Sequence, residues 1–246
     1  MAVTREEIVA TALVLLDEAG LAGLTLRRLA ERLGIRAPTL YWHVRDKREL
    51  LDLVASAIMD DALAERREPQ PGQPWWDWLA QRARSQRSAL LAHRDGALVV
   101  SGNRPTLQAL PGIERQMQAL ADAGFPPPEA LLALLALNAY VIGECLDAQR
   151  EADRVTDRAG GTAGSQAVTS AQAAPDKNTR QLLVDGSYPL LLAAAGVLRS
   201  PDTRFEHGLH IIITGLRGRL DEITSRAPAR QHGSEDADED CTQSSA

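Results

Sequence analysis

The chain has 246 residues, a formal net charge of −6, 44% hydrophobic residues and 4% aromatic residues. That length suits one or two domains, and the apolar share is enough for a packed core, which argues against a disordered chain. With only Cys145 and Cys241, one inside an expected helix and one in a polar tail, the composition also argues against a disulfide framework.

Alanine, leucine and arginine are abundant and alternating valine or isoleucine runs are scarce, so the expected fold is all-α. It divides into an N-terminal three-helix helix-turn-helix head (1–48), a larger helical body (49–224) and a disordered acidic tail (225–246). Arg5, Glu6 and Glu7 precede any apolar run, unlike a signal peptide. The most apolar stretch, 130–143, is broken by Asn138 and falls short of the roughly 20 residues that span a bilayer. The reading is a cytoplasmic protein with no membrane partner.

A first helix is expected over residues 4–20, with Thr4 and Glu7 as a capping box, Ile8, Ala12, Leu15, Leu16 and Ala19 as its stripe, and Gly20 as its end. Thr25 then caps a short helix with Leu26, Leu29, Ala30 and Leu33 facing inward. Gly34 permits positive φ at its end, Pro38 suits a first turn, and a second helix follows from about Ala37 to Val44. Two such helices on a tight turn place the second in the major groove. Thr39, Tyr41, Trp42 and His43, with Arg36 at the mouth of the helix, are suited to phosphates, base edges and sugars. A plain helical hairpin with solvated arginines fits the pattern too. Charge favours the DNA reading: Arg27, Arg28, Arg32, Arg36, Arg45, Lys47 and Arg48 face only Glu31 and Asp46 in a chain of acidic total charge.

Asp46 and Glu49 open the next helix, expected to run to about Arg66, where Lys47 and free amides can hold a phosphate or simply form an ordinary capped start. EPQPGQP (68–74) separates head and connecting helix from the body. Body helices are expected over 75–92, 95–101, 106–123 and 128–154, then a mobile loop over 155–180, then helices over 181–199 and 203–224. The last two carry Leu190, Leu191, Leu192, Val197, Leu209, Ile211, Ile212, Ile213, Leu216 and Leu220 on more than one face, which suits either a homodimer interface or burial in a monomeric core.

Asn138 shares its expected face with Leu131, Leu134, Leu135 and Ile142, while Gln86, Asn103, Gln116 and Asp147 stand on other helices or at helix ends. A largely apolar cavity with a few converging polar groups is how small-molecule sites are built, although each residue singly is also compatible with a satisfied core amide. No catalytic or metal constellation is expected: His43, His93, His207, His210 and His232 lack metalloprotease-like spacing, and no phosphate-cradling glycine loop or cofactor motif is present. His207 and His210, three apart, are compatible with a metal but suit a polar interface edge better.

LTLRRLAERLGIRAPTLYWHVRDKRELLD resembles the N-terminal domain of TetR-type bacterial repressors, and the likeness continues in ALLAHRDGA (89–97), RPT (104–106) and GLHIIITGL (208–216). The resemblance implies a homodimer built through the last two helices, a near-palindromic double-stranded DNA operator, a small-molecule effector that releases it, and control of an exporter or antibiotic-related gene. An activator, or a regulator controlled by a protein partner, would share the same head. It implies DNA contacts or packing from Arg27, Pro38, Thr39, Tyr41, Trp42, His43 and Lys47, with Arg28 beside them. Ala37 and Arg36 replace the glutamine and glutamate that open the recognition helix in the tetracycline-responsive branch, implying a different operator.

That branch holds a magnesium-chelated drug. Aligned on HRDGA and RPT, its ligating histidine and threonine fall at Val100 and Asn103, and its asparagine and phenylalanine at Arg82 and Gln86. Gln116 is retained, Asp147 stands for its glutamate, and a further histidine is absent at Leu63 and Ala64. The expected pocket is Arg82, Gln86, Val100, Asn103, Gln116, Leu131, Leu134, Asn138 and Asp147, with no metal, for an effector whose anionic or accepting group pairs with Arg82.

Overall fold

The computed structural model describes residues 3–63, 68–102, 105–160, 188–194 and 200–226. Every regular element among them is helical. Thr4 opens α1 (Arg5–Gly23): its hydroxyl accepts from the Glu7 amide at 3.1 Å and the Glu7 carboxylate accepts from the Thr4 amide at 2.9 Å, a reciprocal capping box. Gly20, at φ 67°, kinks α1 instead of ending it. Thr25 caps α2 (Leu26–Arg32) by accepting from the Arg28 amide at 3.2 Å, and Gly34, also at φ 67°, turns the chain into α3 (Ala37–Leu40).

The recognition helix, expected to reach Val44, is regular only to Leu40. Beyond it the Trp42 and His43 amides donate three residues back, to Thr39 and Leu40, at 3.3 and 3.0 Å. Aromatic residues are weak helix formers, Leu40 and Val44 must both enter the core, and a new helix is capped immediately after them. The chain therefore tightens into turns. Asp46 caps α4 (Lys47–Leu63) by accepting from the Glu49 amide at 2.8 Å, but the box is one-sided, because Glu49 turns its carboxylate to the Arg45 amide at 2.9 Å. The expected end of that helix, at Arg66, lies outside the described residues.

In the body, α5 (Trp75–Ala92), α6 (Gly96–Ser101), α7 (Leu110–Asp122) and α8 (Pro127–Gly160) follow. The single helix expected over 106–123 is split, with a 3₁₀ turn at Leu107–Ala109 leading into α7 and Pro111 in the first turn of α7. Where a loop was expected from 155, α8 continues to Gly160; the rest of that expected loop lies outside the described residues. Of the helix expected over 181–199 the described part is α9 (Pro189–Ala194), and α10 (Pro201–Arg226) closes the structure; the tail from 227 onward lies outside it.

One core runs from head to body. Ile8, Leu15, Leu16, Leu29, Leu40 and Val44 bury against Leu50 and Val54 of α4, and the same cluster continues into Ile58, Trp78, Leu79, Leu90 and Val99. Each such leucine contributes about 1.5–3 kcal/mol by leaving water. α4 packs on α1, α5 and α6, so it is shared by both halves.

Candidate functional site

The head presents its polar and aromatic residues outward. Arg36 is the N-cap residue of α3 without a side-chain cap bond, and Ala37, Pro38 and Thr39 are exposed beside it. Trp42 is 88% exposed and Tyr41 54%. A wet indole of that kind has no packing role and marks a surface made for a partner. With Arg5, His43, Val44, Arg45 and Glu49 these rings line a groove of about 370 Å³.

Part of the basic patch is already matched by carboxylates: Arg27 with Glu31 at 3.0 Å, Arg32 with Glu18 at 2.6 Å, and both Arg5 (2.8 Å) and Arg45 (3.0 Å) with Glu49. The Arg45 amide and guanidinium hold the Glu49 carboxyl below its ordinary range. Arg28, Lys47 and Arg48 instead donate to carbonyls, of Gly23 (3.0 Å), Leu21 (3.4 Å) and Gly102 (3.3 Å). Exposed pairs of this sort are weak, so phosphates can replace the carboxylates. Asp46 occupies one of the amides expected to be free at the start of α4. Arg5 is the groove residue that the sequence pattern did not single out; only the pairing of α1 with α4 through Glu49 brings it there.

In the body, the buried polar side chains among the described residues are Arg82 and Gln86. They lie four apart on α5, on the face that also buries Trp78, Leu79, Ala83 and Leu90. Gln86 donates to the Asn138 side-chain carbonyl on α8 at 2.7 Å. Arg82, 7% exposed, has its guanidinium 5.2 Å from the Trp78 ring centroid and no carboxylate within salt-bridge distance among the described residues. Burial, and secondarily the charge of Arg115 on α7, bring its pKa down to about 10, so at neutral pH it remains a cation.

Val100 and Leu134 are half-buried against the core, and Gln116 donates to the Gly112 carbonyl of its own helix at 3.1 Å. Two expected pocket residues stand elsewhere. The buried stripe of α8 is Ala130, Ala133, Leu137, Val141 and Cys145, so Leu131 and Leu135 face outward and Asn138 is flanked by Leu134 and Ile142 only. Asp147 is turned to Arg150 of its own helix at 3.9 Å. Asn103, and the side chains of Leu63 and Ala64, lie outside the described residues. Trp78 and Arg115 complete the surroundings of Arg82; Trp78 was legible as the residue one helical turn before it.

The two halves meet at the turn before α6. The Asp95 carboxylate accepts from the Leu21 amide at 2.7 Å, and Asp17 accepts from the Arg94 amide at 3.1 Å beside the His93 ring. Gln149 of α8 donates to the Leu90 and His93 carbonyls at 3.0 and 2.8 Å. The joint is tight: a Cβ on Gly20 would stand 2.8 Å from Asp95 Oδ2. At the other end of α6, Arg48 of α4 holds the Gly102 carbonyl, and Ser56 bonds Thr106 at 3.2 Å. α6, which carries Val100, is thus tied to the head at both ends.

Two family descriptions match this chain, "Bacterial regulatory proteins, tetR family" over residues 8–54 and "Tetracyclin repressor-like, C-terminal domain" over residues 68–220. The class C tetracycline repressor of Escherichia coli is 36% identical over 214 residues, 86% of this chain and 90% of that protein. Among solved structures, ligand-free ActR of Streptomyces coelicolor superposes with a TM-score of 0.71 at 33% identity, covering 90% of this chain and 98% of ActR. ActR in complex with actinorhodin gives 0.69 at 33% identity, over 89% and 98% of the two chains. A helix-turn-helix head with outward aromatic and basic residues, joined to an all-helical body, is matched over both parts of the sequence: the chain belongs to the TetR family of ligand-responsive bacterial transcriptional repressors.

Proposed function

We propose that this protein acts in the cytoplasm as a homodimer, binds a near-palindromic operator through Arg27, Arg28, Arg36, Ala37, Pro38, Thr39, Tyr41, Trp42, His43 and Lys47, and leaves it when a small molecule enters the pocket around Arg82, Gln86 and Asn138. The observation that supports this reading is the attachment of α6 to the head. Val100 on α6 packs beside the core, and α6 is bonded to α1 through Asp95 and to α4 through Gly102. An effector that prefers one position of α6 therefore shifts the head, provided it binds the released state several kcal/mol more tightly.

The outward faces of the C-terminal helices support the dimer. Leu132 is 61% exposed beside Leu131 and Leu135 on α8, Ile211 is exposed on α10, and Leu190, Leu191 and Leu192 are exposed on α9. α8 is longer and more apolar than its broken sequence run suggested: its most apolar 18-residue window has a mean hydropathy of 1.6, with 28% of it buried, enough by length and composition to cross a membrane. Covering by a second copy accounts for that surface within a DNA-binding protein, and a two-fold dimer sets two recognition helices about 34–36 Å apart.

Relatives of this chain are tetracycline repressors, and ActR has been solved with actinorhodin. A magnesium chelate does not fit this chain's residues, since Val100 offers no ligand atom and Arg82 brings a fixed positive charge into the pocket. Arg36 and Ala37 favour bases other than those an acid and an amide would read, with guanine facing Arg36. Selection from a random duplex pool, with hydrodynamic mass measured on the same protein, tests the reading. A near-palindromic site unlike the tetracycline operator and twice the chain mass are expected; a monomer, or recovery of the tetracycline operator, contradicts it.

A further inference from the structure

Trp78, Arg82 and Gln86 stand at four-residue steps on the buried face of α5. Successive steps advance about 6 Å along a helix, so an aromatic ring, a cation and an amide form a line along the buried face of α5. Resting on the effector-site reading above, we propose that the effector is an aromatic carboxylate: its ionised acid pairs with Arg82, its ring system lies toward Trp78, and a carbonyl or hydroxyl about 6 Å from the acid meets the Gln86–Asn138 amide pair.

The neighbours of Arg82 supply the contrast that carries this. On the same helix, Arg84 pairs with Glu206 at 2.7 Å and Arg87 with Asp202 at 2.6 Å, and half-buried Arg204 pairs with Glu144 at 3.2 Å. Arg82 is more buried than any of them and has no carboxylate among the described residues. The charge that acts on it, besides its burial, is a second cation, Arg115. A buried guanidinium without a counter-ion is costly to the ligand-free fold, and an entering anion removes that cost.

The amide pair supplies the second contact. Gln86 spends one amide N–H on Asn138, which leaves its side-chain carbonyl as an acceptor and the Asn138 amide group as a donor for the ligand. Arg115 also lines a surface groove of about 570 Å³ with Trp75, Gln118 and Asp122.

Anthracene-2-carboxylate and its methyl ester, the same rings with and without the charge, test the proposal by fluorescence titration of the intact protein. The wild type is expected to bind the carboxylate roughly tenfold or more tightly than the ester, Arg82→Met to bind both alike, and Arg82→Lys to keep part of the preference. The melting temperature of ligand-free Arg82→Met should rise, because the uncompensated charge is gone; a merely structural role would make it fall. Equal binding of the two probes to the wild type, no binding of the carboxylate, or an undiminished preference in Arg82→Met overturns the proposal. If the carboxylate binds through Arg82 and operator affinity does not change, the anion site stands and the release mechanism fails.

Discussion

The DNA surface and the effector pocket are assembled in opposite ways. All of the head's proposed DNA contacts lie between Arg27 and Lys47, on elements joined by short turns, and all but half-buried His43 are exposed. The proposed pocket draws on α5, α7 and α8, from Arg82 to Asn138, and its Arg82 and Gln86 are buried. A surface read by DNA needs local backbone geometry and loosely held cations. A pocket needs distant helices to bring single polar atoms together without water, where each unmatched group costs about 1–3 kcal/mol. Substitutions in the two regions should therefore fail in different ways.

The largest effect is expected where the regions share a core. Leu29→Ala, at a fully buried head position, should cost about 2–5 kcal/mol of stability, measured by denaturant unfolding. If body and head unfold in separate transitions in that variant, the continuous core is not one cooperative unit. Next, Trp42→Ala and Arg27→Ala should each weaken operator binding by about 1–3 kcal/mol in a fluorescence-anisotropy titration, with thermal stability and effector affinity unchanged. Asn138→Leu should do the reverse: about 1–3 kcal/mol of stability lost through the orphaned Gln86 amide, weaker effector binding, and unaltered operator affinity without effector.

Gly20→Ala probes the seam. It places a Cβ at φ 67° and 2.8 Å from Asp95 Oδ2, and should cost about 1 kcal/mol or more while changing how far the effector lowers operator affinity. Unchanged effector response in that variant would remove the Leu21–Asp95 contact from the route between sites. The smallest effect belongs to Lys47→Ala, which should weaken binding to all duplexes alike and lower the salt slope by about one.

The head was legible because its determinants are local. Thr4, Glu7, Thr25 and Gly34 act on backbone within four residues of themselves, and all four act as read. The recognition helix was overestimated because its length is decided by Leu40 and Val44 having to reach a core made by other helices. In the body, Gln86 could be found as a polar residue on a core helix and Arg82 only through the family resemblance, but that Gln86 would bond Asn138, and that Arg82 would have no carboxylate partner among the described residues, depends on packing between helices. Leu131 shows the limit most clearly. α8 is apolar around most of its circumference, so its largest side chains did not reveal its inner face; small Ala130 and Ala133 turn inward where helices approach closely, and the leucines beside them face out.

The account's central claim, that occupancy of the pocket is felt at the head, is tested most directly by binding of the purified protein to its own upstream intergenic DNA between 50 and 200 mM salt, repeated with a panel of aromatic acids and their neutral esters. Tight, sequence-dependent binding that falls steeply with salt, by about 10³-fold or more, and release by an acid but not by its ester, is the predicted result. Equal weak binding to any duplex, or tight binding that no acid relieves, would contradict it.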